Sequence, residues 1–396
     1  MKTLAFDPIA PAVRGMPPSG IRRFFDLVSE MSDVISLGVG EPDFVTPWQI
    51  REAAIDSLHR GQTMYTSNRG LLELREAIAG DLGRRHNLVY DPKTEILITV
   101  GVSEALDLAM RALLTSGDEV IIPEPCYVSY KPCTILAGGK PVVIPTRAED
   151  GFNPTAEQIE AAITSRSKIL MLSYPNNPTG AILSAEELLP LTQIVQKHNL
   201  LVIADEIYDH LTYNGQHTSV AALPGMQERT ILLNGFSKAY AMTGWRVGYA
   251  AAHSKIIGAM TRIHQYTMLC ASIISQNAAL EALKHGAPER DQMFEEYAQR
   301  RSLIVAGLRD AGLECFEPGG AFYAFPSIKS TGLSSEEFCE KLLKDERVAV
   351  VPGNAFGESG EGYIRCSYAS SLEEIKEAIR RIGRFVEPYL QDEMIS

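Results

Sequence analysis

Between Glu95 and Ala252 the chain alternates short apolar runs with stretches of helical length. The runs fall at residues 96–100, 120–122, 142–144, 169–172, 200–204, 230–233 and 247–251. They are apolar at successive positions rather than at every second one. Continuous apolar runs belong to strands covered on both faces, whereas a half-solvated strand alternates. Segments of helical length stand between most of them, at 103–114, 155–164 and 186–198. Strands separated by helices predict an α/β fold with a mostly parallel central sheet and helices on both faces.

The pattern changes beyond a long helical stretch at 290–308. Short strands at 321–325, 348–351 and 363–367 are interleaved with helices at 335–343 and 372–385, which reads as a smaller α+β domain. The first forty residues carry Pro11, Pro17, Pro18, Gly20, Gly38 and Gly40 and read as an arm with one helix over 21–31. Helices are expected at 47–58 and 71–85. The expected division is an arm and part of the small domain at 1–44, a large domain at 45–290 and a small domain at 291–396. A chain of 396 residues with 45% apolar content has room for both.

The net charge of −12 argues against nucleic acid or an anionic membrane as partner. Six cysteines are scattered, with no C-x-x-C pair and no histidine cluster nearby. They read as buried thiols of a reducing compartment rather than disulfides or zinc ligands. Asp7 and Pro8 interrupt the apolar core a signal peptide would need, and no stretch is long enough for a membrane span. The cytoplasm is the expected location.

In open α/β sheets ligands bind beyond the carboxyl ends of the strands. Several chemically capable residues fall there. Gly101-Val102-Ser103 opens a helix after a strand, so its exposed amides form an anion site, or else a simple turn. Ser237 and Arg246 could serve the same anion. Asp205 ends an apolar strand, where a carboxylate calls for a facing cation such as a protonated ring nitrogen; a helix cap is the alternative. Tyr208 could hydrogen-bond a ring oxygen or simply fill the core. Asn177 lies in Asn176-Asn177-Pro178-Thr179-Gly180, a loop composition placed at a strand end. Lys238 follows a buried run with small and aromatic neighbours, where desolvation would make its amine nucleophilic. Arg365 lies mid-strand near the domain junction, suited to gripping a carboxylate or to facing solvent. Gly38-Val39-Gly40 does not open a dinucleotide site, because Pro42 and Asp43 follow it.

Taken together, a phosphate site, an acid for a ring nitrogen, groups for a ring oxygen and a lysine for an aldehyde specify pyridoxal 5'-phosphate. The chain resembles a fold-type I pyridoxal-phosphate aminotransferase of class I/II, in the gamma subgroup with aspartate and aromatic aminotransferases. The resemblance runs from Gly20-Ile21-Arg22-Arg23 to the last helix. It rests on Leu37-Gly38-Val39-Gly40-Glu41-Pro42-Asp43-Phe44, Asn177-Pro178-Thr179-Gly180, Asp205-Glu206-Ile207-Tyr208, Gly235-Phe236-Ser237-Lys238, Gly244-Trp245-Arg246 and Gly320-Ala321-Phe322-Tyr323.

The likeness implies that Lys238 forms a Schiff base with the cofactor and relays the substrate's α-proton. It implies that Asp205 pairs with the ring nitrogen, Tyr208 and Asn177 hold the phenolic oxygen, and Tyr127 stacks on the ring. The Val102 and Ser103 amides, Ser237 and Arg246 would hold the phosphate. Tyr65 would reach it from a neighbouring subunit of a homodimer. Arg365, Asn177 and the Gly38 backbone would bind the substrate carboxylate, with 2-oxoglutarate as the expected acceptor. Pro17-Pro18-Ser19-Gly20-Ile21 offers only Ser19 for a distal carboxylate, so dicarboxylic, aromatic and small neutral donors all stay open. A carbon–sulfur β-lyase on the same scaffold is the alternative enzyme. A regulatory ligand-binding module would need an added basic DNA-binding domain, at odds with this acidic chain.

Overall fold

Twelve strands form in the computed structural model, which describes residues 7–16 and 31–393. They are β1 (Ile35–Ser36), β2 (Ile96–Thr99), β3 (Glu119–Glu124), β4 (Lys140–Pro145), β5 (Ser167–Ser173), β6 (Leu201–Asp205), β7 (Thr230–Gly235), β8 (Gly248–Ala251), β9 (Tyr323–Ala324), β10 (Val348–Ala349), β11 (Val351–Pro352) and β12 (Ile364–Ser367). All seven apolar runs join one sheet, ordered β2-β8-β7-β6-β5-β3-β4. The pairs from β4 through β7 are parallel, and β8 runs antiparallel to both β2 and β7.

Successive strand residues feed opposite faces, and both faces are covered. Leu97, Ile122, Met171, Ile203 and Leu233 pack beneath helices Gly101–Leu113 and Ser254–Thr267. On the other face, Ile96, Ile98 and Leu232 meet helices Trp48–His59, Leu72–His86 and Ile273–His285. Leu170, Leu172 and Val202 there meet helix Ala185–Lys197. Buried apolar area of this kind is the main stabilising term, about 25 cal/mol per Å². The expectation of burial on both faces fails at β4, where Val143 is 40% exposed. Among the described residues that strand pairs only with β3, at the sheet edge.

Helix starts follow local chemistry. Reciprocal capping boxes open Ala156–Ala162 (Thr155, Gln158), Ala185–Lys197 (Ser184, Glu187) and Ser335–Glu346 (Ser334, Glu337). The strand expected over 348–351 is instead two. β10 pairs parallel with β1, while β11 pairs antiparallel with β12, which also pairs with β9. The chain changes partner at Val350, so a run that reads as one strand serves two sheets. Of the cysteines expected to be buried, Cys133 and Cys270 are partly exposed; all six are free thiols. The arm helix expected over 21–31 lies, but for Met31, outside the described residues, as does Ser19. No described helix is long and apolar enough to cross a membrane.

Candidate active site

The carboxyl ends of β2, β5, β6 and β7 bring most of the singled-out residues to one region. At the end of β2, Gly101 takes a left-handed φ of 74° and begins helix Gly101–Leu113. A Cβ added there would stand 2.6 Å from Arg246 Nη2. The guanidinium thus lies directly against the turn, whose positive φ favours glycine. One on Gly248, at the start of β8, would come 2.8 Å from the Val102 nitrogen. The helix's free amides and a guanidinium therefore converge, a donor set suited to a phosphate. Ser237 is buried two residues past β7, and Ser103 is exposed.

Asp205 closes β6 with its carboxylate buried. Oδ2 accepts from the Tyr130 hydroxyl at 2.9 Å and Oδ1 from the Ile207 amide at 3.2 Å. Burial pushes the carboxyl up to about 6, although both hydrogen bonds act to lower it. Asp205 forms no salt bridge among the described residues, so its charge calls for an incoming cation. The Tyr130 oxygen in turn accepts from the Ser173 hydroxyl at 2.7 Å, and the Tyr127 ring meets that of Tyr130 edge-on at 5.7 Å.

Tyr208 is buried, with its hydroxyl 2.7 Å from that of Tyr323. Lys238 lies between ring faces, its Nζ 5.7 Å from the Tyr208 centroid and 5.6 Å from that of Phe322. Nζ donates to the Gly40 carbonyl at 2.5 Å. Burial brings this amine down to about 8, helped by the nearby charges of Arg365 and Arg246 and opposed by Glu41. A lysine so placed holds a sizeable fraction of free base near neutral pH, as a nucleophile requires.

Arg365, mid-β12, is 2% exposed. Its Nη1 donates to Asn177 Oδ1 at 3.0 Å and its Nη2 to the Gly38 carbonyl at 2.6 Å. It lies over the Tyr323 and Phe356 rings at 4.5 and 4.8 Å. No carboxylate pairs with it among the described residues, and its buried Nε has no partner. A buried guanidinium held only by neutral acceptors and ring faces is poised for an anion. The exposed alternative for this arginine is thereby excluded.

Tyr65 stays apart from this group, 82% exposed on the surface of the single chain. Sequence reasoning passed over Tyr130, Tyr323 and the Gly40 carbonyl as site groups. Tyr130 stands three residues beyond Tyr127, and Tyr323 closes the Gly320-Ala321-Phe322-Tyr323 motif, yet neither spacing reveals which hydroxyl each meets.

A lysine amine, a buried acid and a turn of free amides beside a guanidinium converge at the strand ends of a fold of the pyridoxal-phosphate transferase type I. The chain belongs to the family described as aminotransferase class I and II, whose model matches residues 32–382. Members of this family depend on pyridoxal phosphate, and the chain is a transaminase. It is 56% identical over 374 residues to YugH of Bacillus subtilis, whose own aminotransferase assignment is provisional; the match covers 94% of this chain and 97% of that one. An aspartate aminotransferase of Pyrococcus abyssi is 46% identical over 93% of this chain and 95% of its own. The crystal structure of an aromatic aminotransferase from Pyrococcus horikoshii superposes with a TM-score of 0.89 at 46% identity, covering 92% and 99% of the two chains. Enzymes named for aspartate and for aromatic substrates thus stand equally close.

Proposed function

We propose that this transaminase moves the amino group of an L-amino acid to a 2-oxo acid, 2-oxoglutarate being the acceptor, on pyridoxal phosphate held at Lys238. One observation carries the reading. The Gly38 carbonyl binds Arg365, and the Gly40 carbonyl, two residues on, binds Lys238. A carboxylate-gripping guanidinium and a nucleophilic amine thus sit side by side, matching the two groups on an α-amino acid.

The donor set fits the cofactor. The Val102 and Ser103 amides, Ser237 and Arg246 would hold the phosphate, with Tyr65 of the partner subunit in a homodimer completing the cup. Asp205 would face the ring nitrogen, Tyr208 and Asn177 the phenolic oxygen, and Tyr127 the ring face. When bound, the cofactor supplies an electron sink for charge developing at the substrate's α-carbon.

The chain's own groups do the rest. Arg365, Asn177 and the Gly38 backbone fix the substrate carboxylate and so orient its α-C–H bond. Lys238 Nζ, as free base, takes the α-proton; an amine held down to about 8 gives up that proton again readily. Asp205 supplies the negative charge that keeps a positive ring nitrogen favourable, and that nitrogen is the cation its own surroundings lack. Residues 45–290 would carry the cofactor, and residues 1–44 with 291–396 would close over the substrate. A cytoplasmic location suits six free thiols.

The test is a half-reaction screen. The holoenzyme is mixed with single amino acids and followed by cofactor absorbance, then supplied with 2-oxoglutarate. Stoichiometric conversion that becomes catalytic only with the 2-oxo acid supports the proposal. Pyruvate and ammonia released from cystathionine with no acceptor would instead establish the lyase.

A further inference from the structure

Outside the groups used above, one buried acid–base pair stands directly behind the phosphate cup. Glu104, in the first turn of helix Gly101–Leu113, folds its carboxylate back toward the start of the helix. Oε2 accepts from the Val100 amide at 2.5 Å, and Oε1 meets His264 Nδ1 at 2.6 Å. The two side chains are 8% and 0% exposed. Facing a carboxylate at that distance, Nδ1 carries the imidazole proton and donates it. The Nε2 atom is buried without a partner among the described residues.

Val100 sits between the end of β2 and the glycine turn, and its own side chain cannot cap the helix. Left without its acceptor, that amide would be an unsatisfied donor, which a shift of the turn could relieve. The Glu104 carboxylate removes that incentive and pins the residue immediately before Gly101. Its negative charge would oppose a phosphate at the same helix end were it free to swing toward it. His264 holds the second oxygen and keeps the carboxylate turned inward.

The same histidine also reaches the segment that carries Tyr65. Its carbonyl accepts from the Met268 and Leu269 amides at 2.9 and 3.0 Å, and Leu269 in turn accepts from Asn68 Nδ2 at 2.7 Å.

We infer that Glu104 and His264 are positioning residues for the cofactor's phosphate, holding the 100–103 turn in its anion-binding shape. This rests on the assignment of that turn to the phosphate. It is tested by titrating cofactor-free protein with pyridoxal phosphate and, separately, with pyridoxal, which lacks the phosphate.

Glu104→Ala is expected to weaken pyridoxal phosphate tenfold or more while pyridoxal stays within twofold of the parent. Glu104→Gln, which keeps an oxygen for the Val100 amide, should recover most of that loss. Should the alanine variant not fold, Glu104→Asp gives the same reading, because its shorter side chain cannot span Val100 and His264 together. Equal weakening of both ligands, or no weakening of either, overturns the inference. A parent protein with no preference for the phosphorylated ligand overturns the phosphate assignment itself and the inference with it.

Discussion

The Tyr130 hydroxyl donates to Asp205 Oδ2 at 2.9 Å and thereby holds a buried carboxylate that has no salt-bridge partner among the described residues. That bond aims the acid and works against its burial. Removing it should leave Asp205 in place but harder to ionise. In Tyr130→Phe the carboxyl is expected to rise further above about 6. The acid limb of the activity profile should therefore move to higher pH, with little change at pH 8. A limb that stays put would show that Tyr130 does not govern this acid.

Asp205→Ala should cost turnover and spare the fold. Loss of a charge partner for the ring nitrogen is expected to lower kcat by about a hundredfold or more. The cofactor-free variant should melt no lower than the parent, because the buried carboxyl is held above its ordinary value. Such a group stabilises the fold at low pH and loses that contribution as pH rises through about 6. The cofactor-free parent should accordingly gain thermal stability from this group on going from pH 7 to pH 5, and the variant should lack that gain.

For Lys238, burial favours the uncharged amine, with the crossover at about 8 instead of the usual 10.5. Capture of pyridoxal phosphate by cofactor-free protein should speed up as pH rises through 8 and then level off. A rate still climbing toward pH 10 would mean an ordinary, solvated lysine.

How much of this was legible in the chain depends on what each feature rests on. The seven runs of the main sheet were readable because burial on both faces leaves a continuous apolar signature in sequence. Lys238, Asp205 and Asn177 could be singled out because strand ends and loop motifs mark them. Tyr130 and Tyr323 were not, since their importance lies in hydroxyls meeting residues 75 and 115 positions away. The split of residues 348–352 between two sheets was hidden for a related reason. Its cause is a pairing with Ile35–Ser36, more than 300 residues upstream, which local periodicity does not encode.

Arg365→Ala should raise KM for the amino acid by about 10- to 150-fold, the span of charge-assisted hydrogen bonds lost to the substrate carboxylate. Arg365→Lys should recover little. An ammonium cannot reproduce the fork that now reaches Asn177 and Gly38 together. Full rescue by lysine would reduce the site to a simple point charge.

Tyr65 offers a test of assembly. In hybrid dimers of a Tyr65→Phe chain with a Lys238→Ala chain, a tyrosine acting across the interface leaves one complete site per dimer. Half of parental activity is the expected result. Activity no better than that of the Tyr65→Phe homodimer would place the tyrosine in its own chain's site.

The most direct measurement is chemical. Holoenzyme is reduced with borohydride, digested, and the fragment carrying the pyridoxyl group is sequenced. The account predicts one tagged lysine, Lys238, in Gly235-Phe236-Ser237-Lys238. A tag on any other lysine, or no tag in protein that binds the cofactor, would contradict it.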